Sequence, residues 1–183
     1  MATEEFDEST LTKELKEKYP LLFYKEEQES RQPISLFGVE TNPGWDLIIR
    51  SMCHLMYRQY RITKRNCDYW VKKATEEGNT EEIQRCKELL EKAEQEVPKI
   101  CQIKEKFGTL RVYVDNLTPY VDGVIDMAEA MSEVTCEKCG KPGETYTIGW
   151  HKTLCLDHAR ERYGKVVDIP KREDNNSTYA KDS

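Results

Sequence analysis

The chain has no apolar run approaching the ~20 residues that a membrane-spanning helix requires, and only 38% of its 183 residues are hydrophobic. That excludes a bilayer-crossing helix, predicts no membrane partner and leaves a modest core. Charge surrounds it, since 34% of the residues are Asp, Glu, Lys or Arg. The first residues, Met1-Ala2-Thr3-Glu4-Glu5-Phe6-Asp7, have neither the basic nor the apolar region of a secretory leader, which predicts a cytosolic location. Also missing are a Gly-rich phosphate loop, a Ser-His-Asp set, an open His-rich metal site and any internal repeat. Histidine is scarce, with only His54, His151 and His158. These absences predict a protein that is not an enzyme, and catalysis of unknown type stays as the weakest of three readings.

Cysteine, by contrast, is present in a pattern. Cys136-Glu137-Lys138-Cys139-Gly140 is followed, with 15 residues between Cys139 and Cys155, by Cys155-Leu156-Asp157-His158. Two residues separate the ligands within each pair, and three thiolates with one imidazole make a closed tetrahedral set for Zn²⁺. Gly140 permits the tight turn that aims amides at the sulfurs. Cys155 opens a helical stretch to Tyr163, in which positions i and i+3 share a face. The order of turn, short hairpin and helix describes a treble-clef-like module. With all four positions taken by protein, the ion is structural rather than catalytic. His151 competes with His158 as fourth ligand, but it follows Trp150 in the hairpin and breaks the paired spacing. Cys53, Cys67, Cys86 and Cys101 remain, and in a reducing compartment they read as small buried side chains, not disulfides.

The periodicities predict an α+β fold: a helical hairpin packed on a small antiparallel sheet, with the zinc module at the C-terminal end. An acidic N-terminal helix and loop occupy 1–30, with the helix over 11–19 stopped by Pro20 and a polar loop over 28–32. The body spans 31–134. Within it, residues 34–40 read as a strand and Trp45 opens one helix reaching about Glu77. Thr80 caps a second helix to about Glu96, so the helical hairpin covers about 45–97. Two strands flank Phe107-Gly108-Thr109, and a helix spans Tyr120 to Ser132. The zinc module covers 135–169, docked on the body, and 170–183 is a polar disordered tail.

Net charge is −6, which disfavours generic nucleic-acid binding, yet it is unevenly distributed. Residues 1–30 carry nine acidic against four basic side chains, and residues 57–73 carry six basic against one acidic. On a helix Arg58, Arg61 and Arg65 form a stripe suited to phosphate oxygens, unless Glu side chains of the facing helix pair with it. A second basic-aromatic surface is expected where Lys104, Lys106, Arg111 and Tyr113 share one side of the β-hairpin, with Trp45 bordering it. Its competing reading is an edge hairpin protected by lysines, and for Trp45 a core position.

Several blocks resemble a group of uncharacterised small proteins of tailed phages and prophages. They are Lys18-Tyr19-Pro20-Leu21-Leu22-Phe23, Phe37-Gly38-Val39-Glu40 with Gly44-Trp45, and Gln102-Ile103-Lys104-Glu105-Lys106-Phe107-Gly108-Thr109-Leu110-Arg111-Val112-Tyr113. Ala128-Glu129 with Ser132 follows, then Thr135-Cys136-Glu137-Lys138-Cys139-Gly140-Lys141-Pro142-Gly143, Gly149-Trp150 and Thr153-Leu154-Cys155 with His158. The resemblance implies a phage accessory protein in the bacterial cytoplasm. The expected function is counter-defence without catalysis, by binding a nucleotide-like phosphate signal or a host defence protein. The alternative is a nucleic-acid-binding zinc module using Lys138, Lys141, Lys152, Arg160 and Arg162.

Overall fold

The computed structural model describes residues 10–24 and 32–164. Residues 1–9, the expected loop at 28–31, the end of the expected zinc module and the tail from 170 lie outside them. The chain forms α1 (Thr10–Lys18), a 3-10 turn (Pro20–Leu22), α2 (Pro33–Phe37), β1 (Val39–Glu40), a second 3-10 turn (Pro43–Trp45), α3 (Asp46–Met56) and α4 (Arg58–Glu77). It continues through α5 (Thr80–Gln95), β2 (Lys99–Lys106), β3 (Thr109–Asp115), α6 (Pro119–Glu133), β4 (Glu144–Tyr146), β5 (Lys152–Leu154) and α7 (Leu156–Tyr163). Helices thus combine with two small sheets, as the expected α+β class requires.

The larger sheet, ordered β1-β2-β3, is mixed rather than antiparallel throughout. β2 and β3 are antiparallel, with Lys104 opposite Arg111, whereas β1 runs parallel to β2, with Val39 opposite Ile103. The strand expected over 34–40 shrinks to two residues because Pro33–Phe37 is a helical turn. Pro33 occupies the helix start, where a missing N–H is harmless, and Gly38 at φ 62° returns its N–H to Ile34 O. Phe107 and Gly108 both have positive φ, 55° and 78°. A two-residue turn of that hand matches the twist of the strands it joins.

α6 covers the free edge of the sheet. Its inward residues Val121, Ile125, Ala128 and Ser132 follow helical spacing. Ser132 Oγ accepts the Leu110 N–H at 2.8 Å, and Glu129 Oε1 accepts the Val112 N–H at 3.1 Å. Glu129 Oε2 also takes Arg111 at 3.0 Å. Two side chains therefore satisfy the outward amides of an edge strand that would otherwise be open to another chain.

The N-terminal helix, expected as part of a separate acidic segment, belongs to the main core. Leu11, Leu15 and Tyr19 repeat every four residues and pack with Leu22, Phe23, Ile34, Ile49, Ile103 and Leu110. Buried Thr12 accepts the Val39 N–H at 2.9 Å, Lys99 Nζ reaches Leu21 O at 2.5 Å, and Arg50 pairs with Glu14.

The long helix expected from Trp45 is interrupted at Tyr57, which divides α3 from α4. α3 packs on α6 as part of the body, whereas α4 and α5 pack chiefly on each other. The hairpin is therefore an arm starting at Arg58, not an element laid on the sheet. Trp70 and Leu89, apolar residues at helical spacing, are half-exposed on it. Gly78 ends α4 in the left-handed region at φ 69°, and Asn79 rather than Thr80 caps α5, its Oδ1 accepting the Glu82 N–H at 3.1 Å.

Leu15→Ala should destabilise the whole protein by about 3 kcal/mol. Urea unfolding checks this. A change below about 0.5 kcal/mol would restore the reading of α1 as a separate segment.

Candidate metal centre

Cys136 and Cys139 sit on a tight turn. Gly140, at φ 74°, donates its N–H to Cys136 O at 2.9 Å, and the Cys136 N–H meets Lys141 O at 2.8 Å. Cys155 ends the β4–β5 hairpin as the N-cap of α7, and His158 lies in that helix's first turn. Local folding thus presents each pair on its own short element. The two meet: His158 Nδ1 is 3.3 Å from both Cys136 Sγ and Cys155 Sγ, and the Cys139 and Cys155 sulfurs are 3.7 Å apart. All four donor atoms lie within 4.8 Å of one another and could hold a metal ion. His151 is elsewhere, its ring 6.0 Å from that of Phe107, so the cluster takes His158, as the spacing predicts.

Electrostatics suit a cation at this point. The His158 backbone N–H, with Cys139, Cys136 and the His158 ring beside it, pulls the Cys155 thiol down to about 7. At Cys139 the Lys141 N–H pulls the same way, but burial and the crowding sulfurs of Cys136 and Cys155 outweigh it and hold the thiol up. Sulfurs this close oppose each other's ionisation until a positive charge is placed between them.

The turn carrying Cys136 is set directly on the body. Gly44 donates its N–H to Glu137 O at 2.8 Å, Asn42 Nδ2 donates to Glu137 Oε1 at 3.0 Å, and Trp45 Nε1 donates to Thr135 O at 2.8 Å. A Cβ on Gly44 would stand 2.2 Å from Cys136 O, so only glycine fits. Trp45 is consequently a fully buried anchor and not the wall of a binding pocket.

Lys152 makes a second clamp, its Nζ 3.0 Å from both Glu105 Oε2 and Glu137 Oε1. Burial pushes the Glu137 carboxyl up, with Lys152 opposing; burial also pulls the Lys152 ammonium down, but the hydrogen bonds it donates to both carboxylates outweigh that and raise it. Thr153 Oγ1 bonds Gly108 O at 2.5 Å, which seats β5 on the β2–β3 turn. Sequence reasoning missed Glu137, because a residue between two ligands reads as spacer.

The basic candidates do not converge. Arg58, Arg61 and Arg65 line an open concavity of about 550 Å³ together with His54, Ile62, Lys64 and Asp68, without any residue of the sheet. Arg61 lies 3.1 Å from His54 Nδ1, and Lys64 pairs with Asp68. Among the described residues Arg58 and Arg65 have no carboxylate partner, and no ion pair joins α4 to α5. Glu82 pairs with Arg85 and Glu96 with Lys92 along α5 and its end, and Glu94 accepts only the Tyr60 hydroxyl from α4, so among the described residues the expected neutralisation across the hairpin does not occur.

On the sheet, Arg111 is committed to Glu129. Lys104 lies over the Tyr113 ring at 5.4 Å, and Lys106 over Phe107 at 5.4 Å. That arrangement fits a self-satisfied hairpin surface. Near the metal ligands, Lys138 pairs with Glu161 and Lys141 with Asp157. No helix among the described residues is long and apolar enough to cross a membrane. Comparison with protein-family models, curated proteins and solved structures returns no match for this chain.

Two substitutions probe the docking. Gly44→Ala should destabilise the protein by about 3 kcal/mol or more, because backbone, not a flexible side chain, occupies the space. Lys152→Met should cost about 3 kcal/mol at neutral pH by stranding two carboxylates. A raised lysine contributes its stability below the ordinary value of about 10.4 and loses it as pH rises through its folded value. The difference between wild type and Lys152→Met should therefore be steady near neutrality and narrow above about pH 10.5. Unfolding curves taken across that range check both.

Proposed function

We propose that the protein is a non-catalytic accessory protein of tailed phages, acting in the bacterial cytoplasm against host defence. In this reading it recognises a nucleotide-like, phosphate-bearing ligand through the arginine face of α4. The carrying observation is that Arg58 and Arg65, with Arg61 between them, line one concavity without a carboxylate partner among the described residues, on a protein of net charge −6. Cations left unpaired among so many acids favour an anionic ligand, and guanidinium forks match phosphate oxygens in paired hydrogen bonds. A volume of about 550 Å³ lies in the range of small-ligand sites. The only ring on the lining is His54, which favours reading of phosphates over stacking of bases. The phage setting rests on the blocks of resemblance.

The ion in the Cys136, Cys139, Cys155 and His158 cluster is, in this proposal, structural Zn²⁺ in a treble-clef-like module. Bond lengths of ~2.3 Å to sulfur and ~2.0 Å to nitrogen give tetrahedral edges of about 3.8 Å for S–S and 3.5 Å for S–N. The separations of 3.7 and 3.3 Å are close to these. Three thiolates and an imidazole also suit zinc better than hard cations, which prefer oxygen. Such an ion supplies on the order of 10–16 kcal/mol of binding energy to folding. Against the nucleic-acid alternative, Lys138, Lys141 and Lys152 are each paired with carboxylates, which leaves it only Arg160 and Arg162 without an ion pair among the described residues.

Purified protein should contain one zinc per chain, and Cys155→Ser or a strong chelator should lower its melting temperature sharply. An unchanged melting curve after complete metal removal would refute the structural role. For the ligand, equilibrium dialysis against labelled nucleoside triphosphates and dinucleotides should detect binding that Arg58→Ala/Arg61→Ala/Arg65→Ala weakens at least ~10-fold. Absence of binding, or binding indifferent to that triple substitution, overturns the assignment.

A further inference from the structure

Two thiols meet inside the α4–α5 arm. Cys67 and Cys86 come from facing helices, both are buried, and both line one concavity between those helices, where the Cys67 thiol is near enough to raise that of Cys86; Cys86 Sγ also donates to Glu82 Oε1 at 3.9 Å. With Ala74 they are the only fully buried side chains of the arm's two helices. Small side chains at a helix contact let the backbones approach closely. The seam is bordered by half-exposed Trp70 and Leu89 and forms the floor of a concavity of about 630 Å³. Small solutes in water therefore reach the edge of the sulfur pair.

The other cysteines differ. Cys136, Cys139 and Cys155 belong to the metal centre. Cys53 is completely buried in the main core, and burial pushes its thiol up to about 12. Cys101 is half-buried, with its Sγ 3.6 Å from Lys99 O. Outside the metal cluster, Cys67 and Cys86 alone among the described residues have a sulfur neighbour. Burial and the adjacent Cys67 hold the Cys86 thiol up. A thiol held up in this way is the poorer first nucleophile, which suits Cys86 to the second, resolving position of a two-step oxidation.

We propose that Cys67 and Cys86 are a dithiol oxidation site, at which peroxide converts the arm's seam into an intramolecular disulfide. Cys67 sulfur attacks one oxygen of hydrogen peroxide, breaking the O–O bond and forming a sulfenic acid with release of one water. The Cys86 sulfur then displaces the sulfenic oxygen, which leaves with the remaining proton as a second water. Both sulfurs are oxidised, the peroxide supplies the oxidising equivalents, and two S–H bonds are replaced by one S–S bond. The link joins helices separated by a short connection at Gly78-Asn79 and staples an arm that otherwise holds together through two thiols and one alanine.

The test uses the full-length, metal-loaded protein treated with hydrogen peroxide and then with an alkylating agent. Peptide mapping should find Cys67 joined to Cys86, the intact mass should fall by two hydrogens, and metal content should be unchanged. The melting temperature should rise by about 5 °C. Cys67→Ser and Cys86→Ser should each abolish the link and the rise, while Cys101→Ser should keep both. Recovery of Cys67 and Cys86 as separate alkylated peptides, with the metal still bound, overturns the proposal. So does a disulfide pairing either residue with another cysteine. The mapping on wild-type protein decides the matter even if a variant folds poorly.

Discussion

Everything C-terminal to α6 depends on one close approach of backbone to backbone. The turn that carries Cys136 lies against Gly44 so tightly that a single methyl group has no room, and the Gly44 N–H closes the contact on Glu137 O. A hydrogen bond there contributes only about 1 kcal/mol by itself. Its weight comes from what it aligns: Trp45 is brought to Thr135 O, and Asn42 to the Glu137 carboxylate. Glu137 then faces Lys152, which in turn holds Glu105 on β2. Metal cluster, body and sheet are thus joined through one acidic side chain between two ligands.

This arrangement explains why a small, charge-rich chain can afford a thin periphery. The cluster's own buried apolar group contains only Cys136, Tyr146, Leu154, Cys155 and Ala159, too few to hold a fold unaided. Docking to the larger core compensates, and the cluster of Cys136, Cys139, Cys155 and His158 could hold a metal ion. The arm has neither support. Its exposed ion pairs lie within single helices, where each is worth only ~0.2–1 kcal/mol, and only Cys67, Ala74 and Cys86 of its two helices are fully buried. The part of the molecule with the least internal cohesion also carries Arg58 and Arg65, which have no carboxylate partner among the described residues.

Several motif blocks that look functional in the sequence have structural work in the fold. Glu129 and Ser132 cap the edge of β3, Gly38 sits where a Cβ would be 2.8 Å from Thr12 Oγ1, and Gly44 receives the metal-binding turn. Arg111 is bound to Glu129, and Thr153 to the turn at Gly108. Strand alternation and helix periodicity made β2, β3, α6 and most of their inward faces legible, because burial imposes those periods directly. The short helix α2 was not legible, since four apolar-rich residues fit either period and only Pro33 and Gly38 mark its ends. The parallel β1–β2 pairing was hidden too, because it is set by a connection through the whole arm.

By itself the sequence determined the metal-ligand set and the identity of the hairpin turn. Both follow from local geometry: ligand spacing on a turn or a helix, and positive φ at adjacent residues. Tertiary structure alone decided which charges are neutralised. Pairing depends on which elements face each other, so Lys152 and Arg111 became internal clamps while Arg58 and Arg65 were left without partners. It also decided that Cys67 and Cys86 would line one concavity of the hairpin, a meeting that no spacing along the chain announces.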